Sequence, residues 1–166
     1  MVPGELRLRQ VRVGRHVPPA PDERPSYLKR FCDACTARHM SKIERIIGVA
    51  SSHHRLAWIH PFSDGNGRVI RPFSHALLRE LGIGPELWSI SRGLARATVR
   101  DKATVQAADE PRRGDLDGRG NLNEAGLAGF CHFFLSTCVD QVDLMGKLLD
   151  PSELIIRMEI WSKEET

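Results

Sequence analysis

Long apolar runs are missing from this chain. Nothing approaches the roughly 18 consecutive apolar residues of a membrane helix, and Met1-Val2-Pro3-Gly4-Glu5 opens no signal peptide. Neither a membrane span nor secretion is expected. Cysteine is scarce too: Cys32, Cys35, Cys131 and Cys138 are too few and too unevenly spaced for a disulfide scaffold, which favours the reducing cytoplasm. Lysine is the rarer cation, five residues against 19 arginines, so positive charge arrives mostly as planar forks suited to phosphate or carboxylate. The net charge of +3 is too mild to demand nucleic acid. There are no repeats and no low-complexity segment. What remains, 166 residues with 41% hydrophobic and 27% charged, has the composition of one globular domain.

The first twenty residues have a texture of their own. Leu6 and Leu8 alternate with Arg7 and Arg9, and Val11 and Val13 flank Arg12, so the period is two. The apolar parity flips at Gln10, which predicts a bulge between two short strand pieces. Gly14 is a natural turn residue, and Val17-Pro18-Pro19-Ala20-Pro21 makes a stiff exit. After Pro25 the pattern is helical. Ile43, Ile46, Ile47 and Ala50 keep helical spacing, as do Phe73, Ala76, Leu77 and Leu81 before the Gly82-Ile83-Gly84-Pro85 stop. Leu87 to Ala108 is expected to be helical. The clearest stripe runs from Leu127 to Met145 behind an Asn121/Asn123 cap, and Asp150-Pro151 ends it. A last amphipathic piece carries Leu154, Ile155, Met158 and Trp161. The expected architecture is an all-α domain with a short N-terminal β-hairpin.

Several features read as structural. Cys32-Asp33-Ala34-Cys35 with His39 could be a metal half-site, but no second pair follows, and helical thiols are ordinarily buried. Asp115-Leu116-Asp117-Gly118-Arg119-Gly120 starts like a calcium loop, but Arg119 and Gly126 stand where ligands belong. His53 and His54 are expected on a helix surface, and Trp58 and Trp88 in the core.

Chemistry concentrates in His60-Pro61-Phe62-Ser63-Asp64-Gly65-Asn66-Gly67-Arg68-Val69-Ile70-Arg71, between two amphipathic helices. Gly65 and Gly67 let the backbone approach a ligand, and their amides can converge on an anion. The following helix presents its positive end to the same point. Asp64 is placed to bring a divalent cation to phosphates, and Arg68 and Arg71 share a helical face from which they can clamp phosphate oxygens. His60 can accept a proton from an incoming nucleophile. No Walker-type Gly-Lys run exists, so a phosphate site must be built in this way.

This segment resembles the signature of the Fic (filamentation induced by cAMP) domain, His-Pro-Phe-x-[Asp/Glu]-Gly-Asn-Gly-Arg-x-x-Arg, at every defined position. The arginine-studded N-terminal piece, about residues 5–20, resembles that family's flap, and the helices through about Met145 follow its order. The resemblance implies a Fic-type helical domain over 1–150, with 151–166 a C-terminal helix of undefined role. It implies a protein adenylyltransferase that moves AMP from ATP to a Ser, Thr or Tyr hydroxyl of a target protein, with Mg²⁺. His60 would then be the base and Asp64 the metal ligand. Gly65, Asn66 and Gly67 would form the anion hole, the Asn66 side chain included. Arg68 and Arg71 would hold the outer phosphates, and Phe62 would be buried under the loop as packing. Val11, Arg12 and Val13 would dock the target segment as an added strand. Another nucleotide or phosphoryl donor, or a non-catalytic interaction module, remains as an alternative. Neither membrane nor nucleic acid is an expected partner. The family's inhibitory pattern [Ser/Thr]-x-x-x-Glu-[Gly/Asn] is absent, which leaves Arg71 expected to be unpaired and the chain expected to be a short form, a trimmed form or one restrained by an inhibitor in trans.

Overall fold

Pro25 lies in the first turn of α1 (Arg24–Cys35), where its missing N–H is no loss. Ser41 opens α2 (Lys42–Ile59) with a capping box: its hydroxyl accepts from the Glu44 amide at 3.3 Å, and the Glu44 carboxylate accepts from the Ser41 amide at 2.8 Å. Helix α3 (Asn66–Glu80) ends where Gly82 and Gly84 turn back with positive φ. The computed structural model describes residues 4–36, 40–85, 87–115, 117–118 and 120–164; His39, Leu116 and Arg119 fall outside them.

The helix expected from Leu87 to Ala108 is two helices. It starts at Ile90, where the Ser89 hydroxyl caps α4 (Ile90–Arg96), and it breaks at Ala97 before α5 (Thr98–Asp109). Helix α6 (Glu124–Leu148) begins as the sequence forecasts, with the Asn123 side chain accepting from the Gly126 amide at 2.8 Å. Asp117, the residue that lent its loop a calcium-like look, caps the same helix end by accepting from the Glu124 amide at 2.9 Å.

Helix α6 is the central post. It packs along α5, α2 and α4, while α2 in turn meets α3 and α1. Its stripe supplies Phe130, Cys131, Phe133, Phe134 and Cys138 to a core completed by Val49, Ala50, Leu78, Trp88, Ile90, Leu94 and Ala108. Each large side chain so buried contributes about 1.5–3 kcal/mol. Gly126 lets α5 and α6 touch, since a Cβ there would run into the Ala107 carbonyl. The last helix, α7 (Pro151–Glu164), packs only on α6 and buries no residue. Leu154, Ile155, Met158 and Trp161 are all exposed, so the amphipathic reading of this piece finds no covered face. No helix among the described residues is long and apolar enough to cross a membrane.

Two further expectations are corrected. Cys32 and Cys35 are exposed on α1 rather than buried. The N-terminal arm forms no ladder. Among the described residues it has one antiparallel bridge across Gly14-Arg15, from Val13 to His16, and another from Leu6 to Phe62. In this arm Arg7 is buried at 1% exposure while Leu8 lies open. Carbonyl acceptors gathered around position 7 outcompete the apolar period.

Candidate active site

Helix α2 ends at His60, which sits in the left-handed region at φ 48°, ψ 62° and is the lone non-glycine there among the described residues. Its amide still bonds the Leu56 carbonyl at 3.1 Å, so the residue terminates the helix and turns the chain at once. The chain then crosses Pro61–Asp64 and re-enters helix at Gly65, whose φ of 80° suits glycine.

Asn66 holds this turn shut. Its Oδ1 accepts from the Phe62 amide at 3.0 Å and its Nδ2 donates to the Phe62 carbonyl at 2.7 Å. The Asn66 side chain thus bonds the loop itself while the residue also lines the cleft, and its second N–H and its backbone amide carry no partner among the described residues. Phe62 is half-buried and bridged to Leu6, not sealed beneath the loop. The first bond inside α3 is Val69 N–H to the Gly65 carbonyl at 3.1 Å. The amides of Asn66, Gly67 and Arg68 carry no partner among the described residues, and no side chain caps this end. A 15-residue helix thus presents uncapped donors and its positive dipole end to a cleft.

That cleft has a volume of about 870 Å³ and is lined by His60, Asn66, Gly67, Ile70 and Arg71 on one side. Val13, Gly14, Arg15 and His16 of the arm form a second wall, and Asp101, Lys102, Gln106 and Asp109 of α5 a third. Asp64 and Arg68 stand outside this lining, paired with each other at 2.7 Å and largely exposed. An exposed pair of this kind is worth about 0–1 kcal/mol, so it opens readily. Arg71 lies over Gly67, where a Cβ would come within 2.9 Å of its Nη1. Val11 is half-buried, Arg12 and Val13 are exposed, and Arg12 Nε donates to the Gly14 carbonyl at 3.1 Å.

Burial pushes the His60 imidazole below its usual value, and the Arg7 and His16 charges push the same way against the Ala57 carbonyl. At neutral pH the ring is an unprotonated acceptor. Burial raises the Asp101 carboxyl, and Arg71 and Lys102 draw it partly back.

His53 and His54 are buried, not on the surface. His53 Nδ1 meets Ser74 Oγ at 2.9 Å, and His54 Nε2 meets Asp109 Oδ1 at 3.0 Å, which ties α2 to α3 and to the end of α5. Trp88 is in the core, but Trp58 is half-buried between Tyr27 and His16 and borders the cleft. His53 is held down to about 3 by burial, then by Arg71 and His54. In the unfolded chain this ring takes a proton near pH 6.5, and in the folded protein only near 3, so protons favour unfolding between the two. Stability is expected to fall below pH 6.5 by up to ~1.4 kcal/mol per unit. Thermal melts between pH 4 and 7 check this, and His53→Gln should flatten the slope. An unchanged slope in that variant would remove His53 as its cause.

Sequence reasoning did not single out Arg7, His16, Ser74, Asp101 or Asp109. Their places depend on tertiary approach, and nothing in their spacing marks them.

A family model described as the Fic/DOC family matches residues 1–78. Over 82 residues, 49% of this chain, the protein is 40% identical to a Drosophila willistoni protein named protein adenylyltransferase Fic. A Drosophila virilis protein of the same name matches equally, at 40% over 82 residues. The chain spans only 16% and 17% of the lengths of these two relatives. Among solved structures, a Fic-domain-containing signalling protein from Bacteroides thetaiotaomicron superposes with a TM-score of 0.64 at 19% identity, covering 85% of this chain and 53% of that one. The fold is therefore shared well beyond the loop. Residues 1–78, which hold the arm, the stapled turn and most of α3, are thus similar in sequence to the Fic/DOC family, and the fold they enter resembles that of a Fic-domain protein.

Proposed function

We propose that residues 1–150 form the working domain of a protein adenylyltransferase, which moves AMP from ATP to a Ser, Thr or Tyr hydroxyl of a target protein. The observation that carries this reading is the meeting, in one cleft, of an uncapped helix N-terminus with the His60 imidazole, whose partial burial favours the unprotonated form. The Gly65–Arg68 amides receive phosphate oxygens as charge builds during transfer, without reorganising to do so. The target hydroxyl gives its proton to His60 while its oxygen bonds the α-phosphorus, and the bond to the β-phosphate oxygen breaks to release pyrophosphate. Arg71, close over Gly67, reaches the outer phosphates, and Arg68 joins it once it leaves Asp64.

Asp64 suits Mg²⁺. Its Oδ2 faces Arg68 and its Oδ1 has no partner among the described residues, so one exposed carboxylate is available to an ion that otherwise keeps water and phosphate ligands. When bound, the ion neutralises phosphate charge. The arm offers a docking edge: among the described residues, the backbone groups of Gln10, Val11 and Arg12 have no backbone partner. A target segment can add there as a strand beside Val13, so that backbone bonds do the recognising.

The test is incubation with Mg²⁺ and ATP labelled at the α-phosphate, run beside γ-labelled ATP. Protein labelled from α alone supports the reading, and label from γ alone would replace it with phosphoryl transfer. Asp64→Asn should raise the Mg²⁺ concentration needed for half-maximal labelling about tenfold or more, as losing one charged contact of ~1.5–3 kcal/mol implies. An unchanged Mg²⁺ dependence would take Asp64 out of metal binding.

A further inference from the structure

Arg7 is the largest of the fully buried side chains, at 1% exposure. Its guanidinium meets carbonyls from three stretches of chain: Nε donates to His60 at 2.8 Å, Nη1 to Arg9 at 3.1 Å and Nη2 to Pro19 at 2.5 Å. Its own amide donates to the Pro61 carbonyl at 2.9 Å. Arg24, also buried, donates through Nη1 to the Arg7 carbonyl. No carboxylate forms an ion pair with either arginine among the described residues. A buried cation without a counter-charge is costly, and an apolar residue would seal the same space more cheaply. The cation is held for what it bonds.

Those bonds have a pattern. Two of the three acceptors, Arg9 and Pro19, flank the part of the arm that turns at Gly14-Arg15, and Gln10 Nε2 adds a second tie to the Pro18 carbonyl at 2.7 Å. The third acceptor is the carbonyl of His60, whose left-handed backbone is the least self-sustaining conformation in the turn. Only a planar fork with several fixed donors can span all three; an ammonium reaches one or two.

We propose that Arg7 is the positioning residue that locks the His60 backbone to the base of the arm, so that the arm and the His60 imidazole keep one register during transfer. The proposal rests on the adenylyl-transfer reading and adds to it a device that joins target docking to the base. The groups facing His60 are Arg7 and His16 from the arm and the Ala57 carbonyl from α2, with Arg71 from α3 and Asp101 and Lys102 from α5 across the cleft.

Arg7→Lys and Arg7→Gln test it in the full chain. Arg7→Lys is expected to lower kcat about tenfold or more, as sub-ångström misplacement of a reacting group does, with KM for ATP within ~2-fold of wild type. Hydrogen exchange should quicken over residues 9–19 while the protection of α2 and α6 holds. In Arg7→Gln, NMR titration of the His60 ring should move its pKa up, because a nearby positive charge has gone and the ring is freer to be wet. Wild-type kcat in Arg7→Lys would overturn the proposal. So would a loss of activity matched by a uniform loss of protection through α2 and α6, which is what a merely structural role gives. Should Arg7→Gln not fold, Arg24→Gln weakens the hold on the Arg7 carbonyl and is expected to show the same exchange pattern in milder form. If the wild-type protein transfers no AMP, the adenylyl reading fails by itself, and exchange and the His60 titration still decide whether Arg7 holds the turn.

Discussion

Replacing His60 with asparagine is expected to lower AMP transfer about 10²–10⁴-fold, the range that general base catalysis supplies. Asparagine is the informative choice. It tolerates the left-handed backbone that His60 adopts at φ 48°, so the turn and the carbonyl gripped by Arg7 survive while the proton acceptor is lost. Alanine at this position would mix backbone strain into the result. Thermal stabilisation by Mg²⁺ and ATP should therefore stay near that of wild type, since the amides at the start of α3 are untouched. Residual transfer within tenfold of wild type would show that another group takes the proton. The pH profile carries the same information. The depressed His60 value predicts activity that is flat through neutrality and falls only below the ordinary histidine range, as the ring gains its proton.

Asn66→Ala should have the second largest effect, and it acts through shape. Removing the carboxamide leaves the half-buried Phe62 amide without its acceptor and the Phe62 carbonyl without its donor. At about 1–3 kcal/mol for each stranded group, a loss of ~2–6 kcal/mol follows, each kcal/mol lowering Tm by roughly 2–4 °C in a chain of this size. Nucleotide binding should fall with it, because the same staple sets where the Gly67 and Arg68 amides point. Asn66→Asp separates the two effects: it keeps an acceptor for the Phe62 amide, but turns a negative oxygen toward the Phe62 carbonyl and puts charge beside the anion-binding amides. It should bind ATP worse than its stability loss alone explains. A variant with wild-type Tm and wild-type ATP binding would mean that the turn closes without the staple.

The helices and the loop were largely legible in the sequence, for different physical reasons. The capping box at Ser41, the Asn123 cap and the Phe130–Cys138 stripe are local signals, and local hydrogen bonds and burial honour them. The loop was legible because so many special residues rarely gather by accident in twelve positions. What escaped was decided by long-range approach. The arm's alternation carries a period but no sign of which face turns inward, and carbonyls from residues 9, 19 and 60 converge on Arg7 and draw the cation in. His53 and His54 looked like surface residues until Ser74 and Asp109 supplied partners from other helices. The Asn66 staple to Phe62 is likewise visible only in the folded turn. The break at Ala97 carries no glycine or proline to announce it.

The Asn66 staple also bears on how this protein ages. Asparagine followed by glycine is the pairing in which the side-chain carbonyl is most open to attack by the next backbone nitrogen, which expels the side-chain amide as ammonia and closes an imide that water reopens mainly as isoaspartate. Such asparagines are among the thermolabile residues of proteins. In the folded chain the Asn66 carboxamide is pinned at both ends and the Gly67 nitrogen belongs to the first turn of a helix, so ring closure must first unpick two hydrogen bonds and unwind that turn. The contacts that shape the loop thus also act as its preservative, and the clock runs chiefly in molecules that have opened it.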